Sequence, residues 1–245
     1  MISKQEAKFV KSLKLKKYRR KAESFLVEGA KNVLELLGSD YQIQSIYVTR
    51  KFMDEYGGAI SGHIACQLCT EQELADLGTF QTNEYALAIA SMKMKKFEID
   101  GEKLVIALDE VSDPGNLGTI IRIADWYGVT NILASHGTAD FYNPKVINAS
   151  MGSFTRVGVH YISLEEFIEY QDTHQVYGAF LEGENIHNIE ADFPAILLMG
   201  NESQGINSRL EKLTDRKITI PRFGNAESLN VAVSTAILCD NLLRH

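Results

Sequence analysis

A chain of 245 residues, 45% hydrophobic and 23% charged, has the make-up of a globular protein with material for one large domain or two modest ones. No apolar run approaches the ~20 residues that span a bilayer, and the lysine-rich start lacks the apolar stretch of a secretory signal. The net charge of −7 is unevenly spread: residues 1–21 hold seven Lys and two Arg against Glu6, a total of +8, so the rest carries −15. In chain order, KQEAKFVKSLKLKKYR reads as one basic helix, SFLVEG as a strand and AKNVLELL as a helix. IQSIYVT and HIACQLCT read as strands, and EQELADLG as a short helix before the strand YALAIASM. Residues 93–102 are polar and lack apolar periodicity, which predicts a linker.

From Leu104 the alternation is regular. Strands are predicted at 104–108, 131–135, 155–162, 175–181, 195–200 and 217–221, with helices between most of them. Ser163 and Glu166 have capping-box spacing at the start of one. Apolar strands alternating with helices predict an α/β fold with an open, mostly parallel sheet. The chain divides into a small α/β module, 1–92, the linker 93–102, and a larger domain, 103–245.

Basic residues gathered at one end of an acidic chain suit an arm that meets a polyanion, with a solvated lysine-rich helix as the plainer alternative. Three cysteines, Cys66, Cys69 and Cys239, cannot all pair, which suits a reducing cytoplasm. Cys66 and Cys69 have the spacing of half a zinc site, but no second pair completes it, so they read as structural. The histidines show no metal-ligand spacing.

In an open parallel sheet, ligands bind beyond the carboxyl ends of the strands. Three polar loops fall there: DEVSDPGN (109–116), GNESQGIN (200–207) and PRFGNAESLN (221–230). No GxxxxGK[ST] or GxGxxG is present, which argues against a P-loop hydrolase, a dinucleotide enzyme and other nucleotide-dependent small-molecule chemistry. Ser203 lacks the glycine two places before it that a nucleophile elbow needs. In NLGTIIRIADWYGV, Leu117, Ile120, Ile121, Ile123, Ala124 and Tyr127 share one helical face, and Arg122 lies opposite with Gly118 a turn before it. Helical side chains lean toward the N-terminus, so Arg122 is expected over Gly118, directed at Asn116; a solvated helix face is the alternative. Taken singly, Asn116, Ser228 and Asn230 also suit helix starts, and Glu202 a solvated loop acid.

Together the three loops resemble the SpoU (TrmH) family of RNA 2′-O-ribose methyltransferases, in the SPOUT superfamily. The motifs are LDEVSDPGNLGTIIRIADWYGV, LLMGNESQGI and ITIPRFGNAESLNVAVSTAI, with NPKVINASMGS between the first two. The resemblance implies a deep trefoil knot, a homodimer packed through the last helix, and methyl transfer from S-adenosylmethionine to a ribose 2′-hydroxyl, in ribosomal more than transfer RNA, without DNA or membrane. It implies catalytic roles for Arg122, Asn116, Glu202, Ser228 and Asn230, with Glu202 orienting the arginine. Leu198, Gly200, Asn201, Gly205, Ile220 and Leu229 would hold the cofactor. Residues 17–37 resemble the opening of the RNA substrate-binding domain often found ahead of this one; Lys14, Lys16, Lys17, Arg19 and Arg20 would contact RNA. The principal rival is a noncatalytic RNA-binding protein on the same fold.

Overall fold

The computed structural model describes residues 2–93, 97, 99, 101 and 103–244. It divides into two compact units, Met1–Met94 with Asp140–Thr155, and Lys95–Ala139 with Arg156–His245. Of the expected linker 93–102, residues 94–96, 98, 100 and 102 lie outside the described residues.

The first unit runs α1 (Lys4–Ser12), α2 (Lys16–Ala22), β1 (Ser24–Glu28), α3 (Ala30–Leu37), β2 (Ile43–Val48), α4 (Arg50–Tyr56), β3 (Cys66–Leu68), α5 (Glu71–Leu77) and β4 (Ala86–Ser91). Its four strands lie in the order β1-β4-β2-β3, antiparallel except for the last pair. The single basic helix read from the sequence is two. Ser3 and Glu6 close a capping box on α1, and the chain turns at Leu13–Leu15, where Arg19 Nη1 takes the carbonyls of Leu13 (3.1 Å) and Lys14 (2.9 Å). Those bonds satisfy acceptors that a continuous helix would have used internally. Val10, Leu13, Leu26, Tyr47, Leu74, Leu77, Leu87 and Ile89 form one buried cluster of its core, to which Phe25, Val33, Leu36 and Phe52 add further fully buried side chains. Residues 140–155, expected in the larger domain, belong here instead: Tyr142 and Phe154 pack their rings against Phe25.

The second unit contains β5 (Leu104–Leu108), α6 (Pro114–Trp126) and β6 (Asn131–Ala134); the chain then passes through α7 (Pro144–Ser150) of the first unit. It resumes with β7 (Gly158–Tyr161), α8 (Leu164–Tyr170), β8 (Gln175–Asn185), β9 (Ala195–Met199), α9 (Ser208–Lys212), β10 (Arg216–Thr219) and α10 (Val231–Leu243). The six strands lie in the order β10-β8-β9-β5-β6-β7, and each neighbouring pair is parallel. The expected α/β class and parallel sheet are thus present. The central strands β5 and β9 are buried throughout, the continuous apolar run that a sheet covered on both faces demands. β8 extends four residues beyond the apolar run 175–181, because Glu184 and Asn185 pair with Ile218 and Thr219 after a register break in β10. Phe97 packs on His160 and Phe167, and Ile99 joins the second unit's core.

α6 buries Leu117, Gly118, Ile120, Ile121 and Ala124. Ile123 and Tyr127, assigned to the same face, are half-buried, and Gly118, assigned to the open side with Arg122, is covered. Among the described residues no helix is long and apolar enough to cross a membrane.

Candidate active site

The carboxyl ends of β5, β9 and β10 release the three polar loops, and their side chains meet at Asn116. α6 begins earlier than its apolar pattern suggests: Asp113 is the cap, Pro114 occupies the first turn, and Asn116 N–H donates to Asp113 Oδ1 at 2.8 Å. The Asn116 side chain is therefore free of capping duty. Its Nδ2 donates to Glu202 Oε1 at 2.7 Å, and its Oδ1 accepts from Asn230 Nδ2 at 2.9 Å. The partners lie 86 and 114 residues along the chain.

The amide orientations follow from the network. Asn230, not Ser228, caps α10: its Oδ1 accepts the N–H groups of Ala232 (3.0 Å) and Val233 (3.3 Å). Only its NH₂ remains to face Asn116, so Asn116 must present oxygen to Asn230 and NH₂ to the Glu202 carboxylate. Ser228 is exposed and makes no hydrogen bond among the described residues. Arg122 is likewise exposed, with no hydrogen bond or ion pair among the described residues. Among the described residues the expected Glu202–Arg122 link is absent, and Glu202 Oε1 accepts from Asn116 instead. No bond carries Arg122 back over Gly118 to Asn116 either.

The loop holding Glu202 is unusually tight. Asn201 and Gly205 exchange backbone bonds of 3.0 and 2.9 Å, and Asn201 Oδ1 accepts the N–H of Ser203 at 2.8 Å. A Cβ on Gly200 would lie 2.2 Å from the Gly205 carbonyl carbon, and Gly205 sits at φ +71°. Both positions are therefore reserved for glycine by geometry. Asn201 Nδ2 reaches the Glu110 carbonyl at 2.7 Å, so this side chain builds the loop rather than facing a ligand. Leu198 is fully buried in the core, which removes its side chain from a cofactor site as well.

The third loop is open. Residues 222–230 are exposed, and among the described residues the backbone of 221–229 makes no hydrogen bond with other backbone groups. Ile220 is half-buried and Leu229 half-exposed beside this row of main-chain donors and acceptors. Such a surface suits a flat heteroaromatic ring, read by main-chain N–H and C=O groups and flanked by aliphatic side chains.

Sequence reasoning passed over Asp109 and Asn207. Asp109, 4% exposed at the end of β5, accepts from Asn207 N (2.8 Å) and Nδ2 (3.0 Å). Burial raises its carboxyl above the ordinary aspartate value, reinforced by Glu110 and Glu165 and opposed by the Asn207 hydrogen bonds. A charged residue directly after a wholly apolar strand was the available signal.

In the first unit, Lys16, Lys17 and Arg20 are exposed and Lys14 half-buried. Arg19, expected to contact RNA, is instead 2% exposed, bonded to the Leu13 and Lys14 carbonyls and paired with Asp140, and cannot offer its guanidinium to RNA. Cys66, Cys69 and Cys239 are free thiols, and among the described residues no cluster of His, Cys, Asp and Glu could hold a metal ion.

A model of the SpoU rRNA methylase family matches residues 103–240, and a model of an MRM3-like substrate binding domain matches residues 4–88. The chain is 33% identical over 241 residues to the 23S rRNA (guanosine(2553)-2′-O)-methyltransferase RlmP of Bacillus subtilis (strain 168), covering 97% of this chain and 96% of that protein. A TrmH-family structure from Porphyromonas gingivalis superposes with a TM-score of 0.88 at 33% identity, over 100% of this chain and 99% of that one. An AdoMet-bound rRNA methyltransferase from Sinorhizobium meliloti gives 0.88 at 28% identity, over 100% and 96%.

Proposed function

The chain belongs to the SpoU rRNA methylase family, and from that premise we propose that it transfers a methyl group from S-adenosylmethionine to a ribose 2′-hydroxyl of structured RNA, ribosomal rather than transfer RNA. The observation that carries the reading is Asn116, whose one amide joins Glu202 and Asn230 from two distant loops at the ends of parallel strands. The relatives' printed names support the substrate class, and the AdoMet-bound neighbour supports the cofactor.

When bound, S-adenosylmethionine supplies a methyl group on a sulfonium centre, open to in-line attack by an oxygen. The backbone around Gly200, Gly205, Ile220 and Leu229 would hold it, with the open 221–229 main chain reading its adenine. Arg122 would orient the nucleotide and stabilise negative charge growing on the 2′-oxygen. A guanidinium is a poor base, so the hydroxyl proton passes to a phosphate of the RNA or to water. Asn116, held between Glu202 and Asn230, would fix the ribose, and the unengaged Ser228 hydroxyl would meet the target nucleotide. Lys14, Lys16, Lys17 and Arg20 supply a phosphate-binding surface.

A homodimer is part of the same proposal. α10 is apolar on several sides: Leu238, Cys239 and Leu242 are buried, yet Val233 remains 49% exposed, as does 84% of Trp126 on α6. A second copy would cover both. The trefoil knot, the cytoplasmic location and the domain limits 1–92 and 103–245, with residues 140–155 reassigned, complete the reading. Mapping 2′-O-methylation in total RNA with and without the protein tests it, with Arg122→Ala as the partner sample. The variant is expected to fold, dimerise and bind cofactor without transferring methyl. Wild-type protein that binds RNA but leaves no methylation mark would favour the noncatalytic reading.

A further inference from the structure

We propose that Asp109 and Asn207 are positioning residues for this reaction: a buried carboxylate–amide link that sets the 200–206 loop so that Glu202 meets Asn116. The proposal rests on the site reading given above.

Asn207 immediately follows the loop that carries Glu202. One hydrogen of its amide goes to Asp109 Oδ2 at 3.0 Å, and the other to Glu165 Oε1 at 3.2 Å. Its Oδ1 accepts the N–H groups of Arg209 and Leu210, both at 3.0 Å, and so caps α9. Every hydrogen-bonding position of the side chain is used. An aspartate here would keep the cap but turn two attractive contacts into carboxylate repulsions. An alanine would lose the cap and leave Asp109 with only the Asn207 N–H.

The other end of the loop is tied to the next residue of the same segment. Glu110 holds φ 54°, a left-handed conformation uncommon for glutamate, with its N–H on Ser135 Oγ at 2.8 Å and its carbonyl on Asn201 Nδ2. Two consecutive residues, 109 and 110, therefore grip the loop at Asn207 and at Asn201. The same segment leads into the first turn of α6 and Asn116. Anchoring at both ends fixes where Glu202 arrives, and no residue of the grip needs to touch substrate. A shift of about 1 Å in such a constellation costs on the order of a hundredfold in rate.

The test is a swap. Asn207→Asp alone is expected to lower kcat about tenfold or more, with the KM for RNA within roughly threefold of wild type. Adding Asp109→Asn and Glu165→Gln removes both repulsions and keeps the α9 cap, at the cost of the bond from the residue-207 N–H to Asp109 Oδ2, and is expected to recover part of the lost activation free energy. Thermal unfolding of each variant separates folding from positioning. If Asn207→Asp does not fold, Asn207→Ser, which retains a cap but has too few donors for both carboxylates, carries the same expectation for kcat. The proposal is overturned if the single variant keeps kcat within about twofold while Asn116→Ala loses activity, or if the swap restores stability without restoring kcat. Full activity in Asn116→Ala would overturn the site reading, and this proposal with it.

Discussion

Arg19 in the basic arm and Arg122 on α6 look alike in the sequence, each a cation within a helical pattern, and the structure gives them opposite positions. Arg19 is 2% exposed and spends its guanidinium on two carbonyls and Asp140. Arg122 is exposed, and no described group engages it. Neighbouring chemistry explains the difference. The arm breaks at Leu13–Leu15 and leaves carbonyls that need donors, whereas α6 continues unbroken to Trp126 and asks nothing of its outer face. An arginine whose Nη1 and Nη2 are spent on carbonyls and a carboxylate holds architecture, even with its Nε unpartnered; one left without a partner on an exposed helix face is available to a ligand.

Removing the buried arginine should do the most damage. Arg19→Met fills the space but strands the Asp140 carboxylate and two carbonyls, and should cost about 3–5 kcal/mol of stability in urea unfolding. Asp140→Asn should cost less, because the amide oxygen still accepts from Arg19. A loss below about 1 kcal/mol for Arg19→Met would show the network to be dispensable.

Arg122→Ala should do the reverse. With no partner to lose, its unfolding free energy is expected to stay within about 0.5 kcal/mol of wild type. Methyl transfer should fall by about 10²–10³, or roughly 2.7–4 kcal/mol of transition-state stabilisation. Arg122→Lys should not restore the rate, since a single ammonium lacks the planar fork. Unchanged turnover in Arg122→Ala would reject its role.

How much was legible follows the range of the interactions. β5, β9 and the core of α6 could be read from apolar runs, because burial in a parallel sheet writes itself locally. Asn116, Glu202 and Asn230 were found by motif, although only the structure shows that Asn116 is the joint and that Glu202 turns to it rather than to Arg122. The break in the basic helix was hidden, since lysines continue across it and the carbonyls it frees are met by Arg19 from the next helix. The transfer of residues 140–155 to the first unit was hidden too, resting on rings that meet Phe25 from far along the chain. Asp109 and Asn207 are 98 residues apart, and neither looks unusual without the other.

The exposed cations of the arm should matter less to the protein than either arginine. If Arg19 is architecture, RNA affinity resides in its exposed neighbours Lys16, Lys17 and Arg20. Replacing all three by Ala should leave stability near wild type and weaken RNA binding across sequences alike. Fewer neutralised phosphates release fewer counterions, so the log–log slope of affinity against salt should flatten by about 2 when all three cations engage phosphate. Arg19→Met, assayed where it remains folded, should change that slope by less than the triple variant. An unchanged slope in the triple variant would remove these cations from the interface, and a larger change in Arg19→Met would return Arg19 to it.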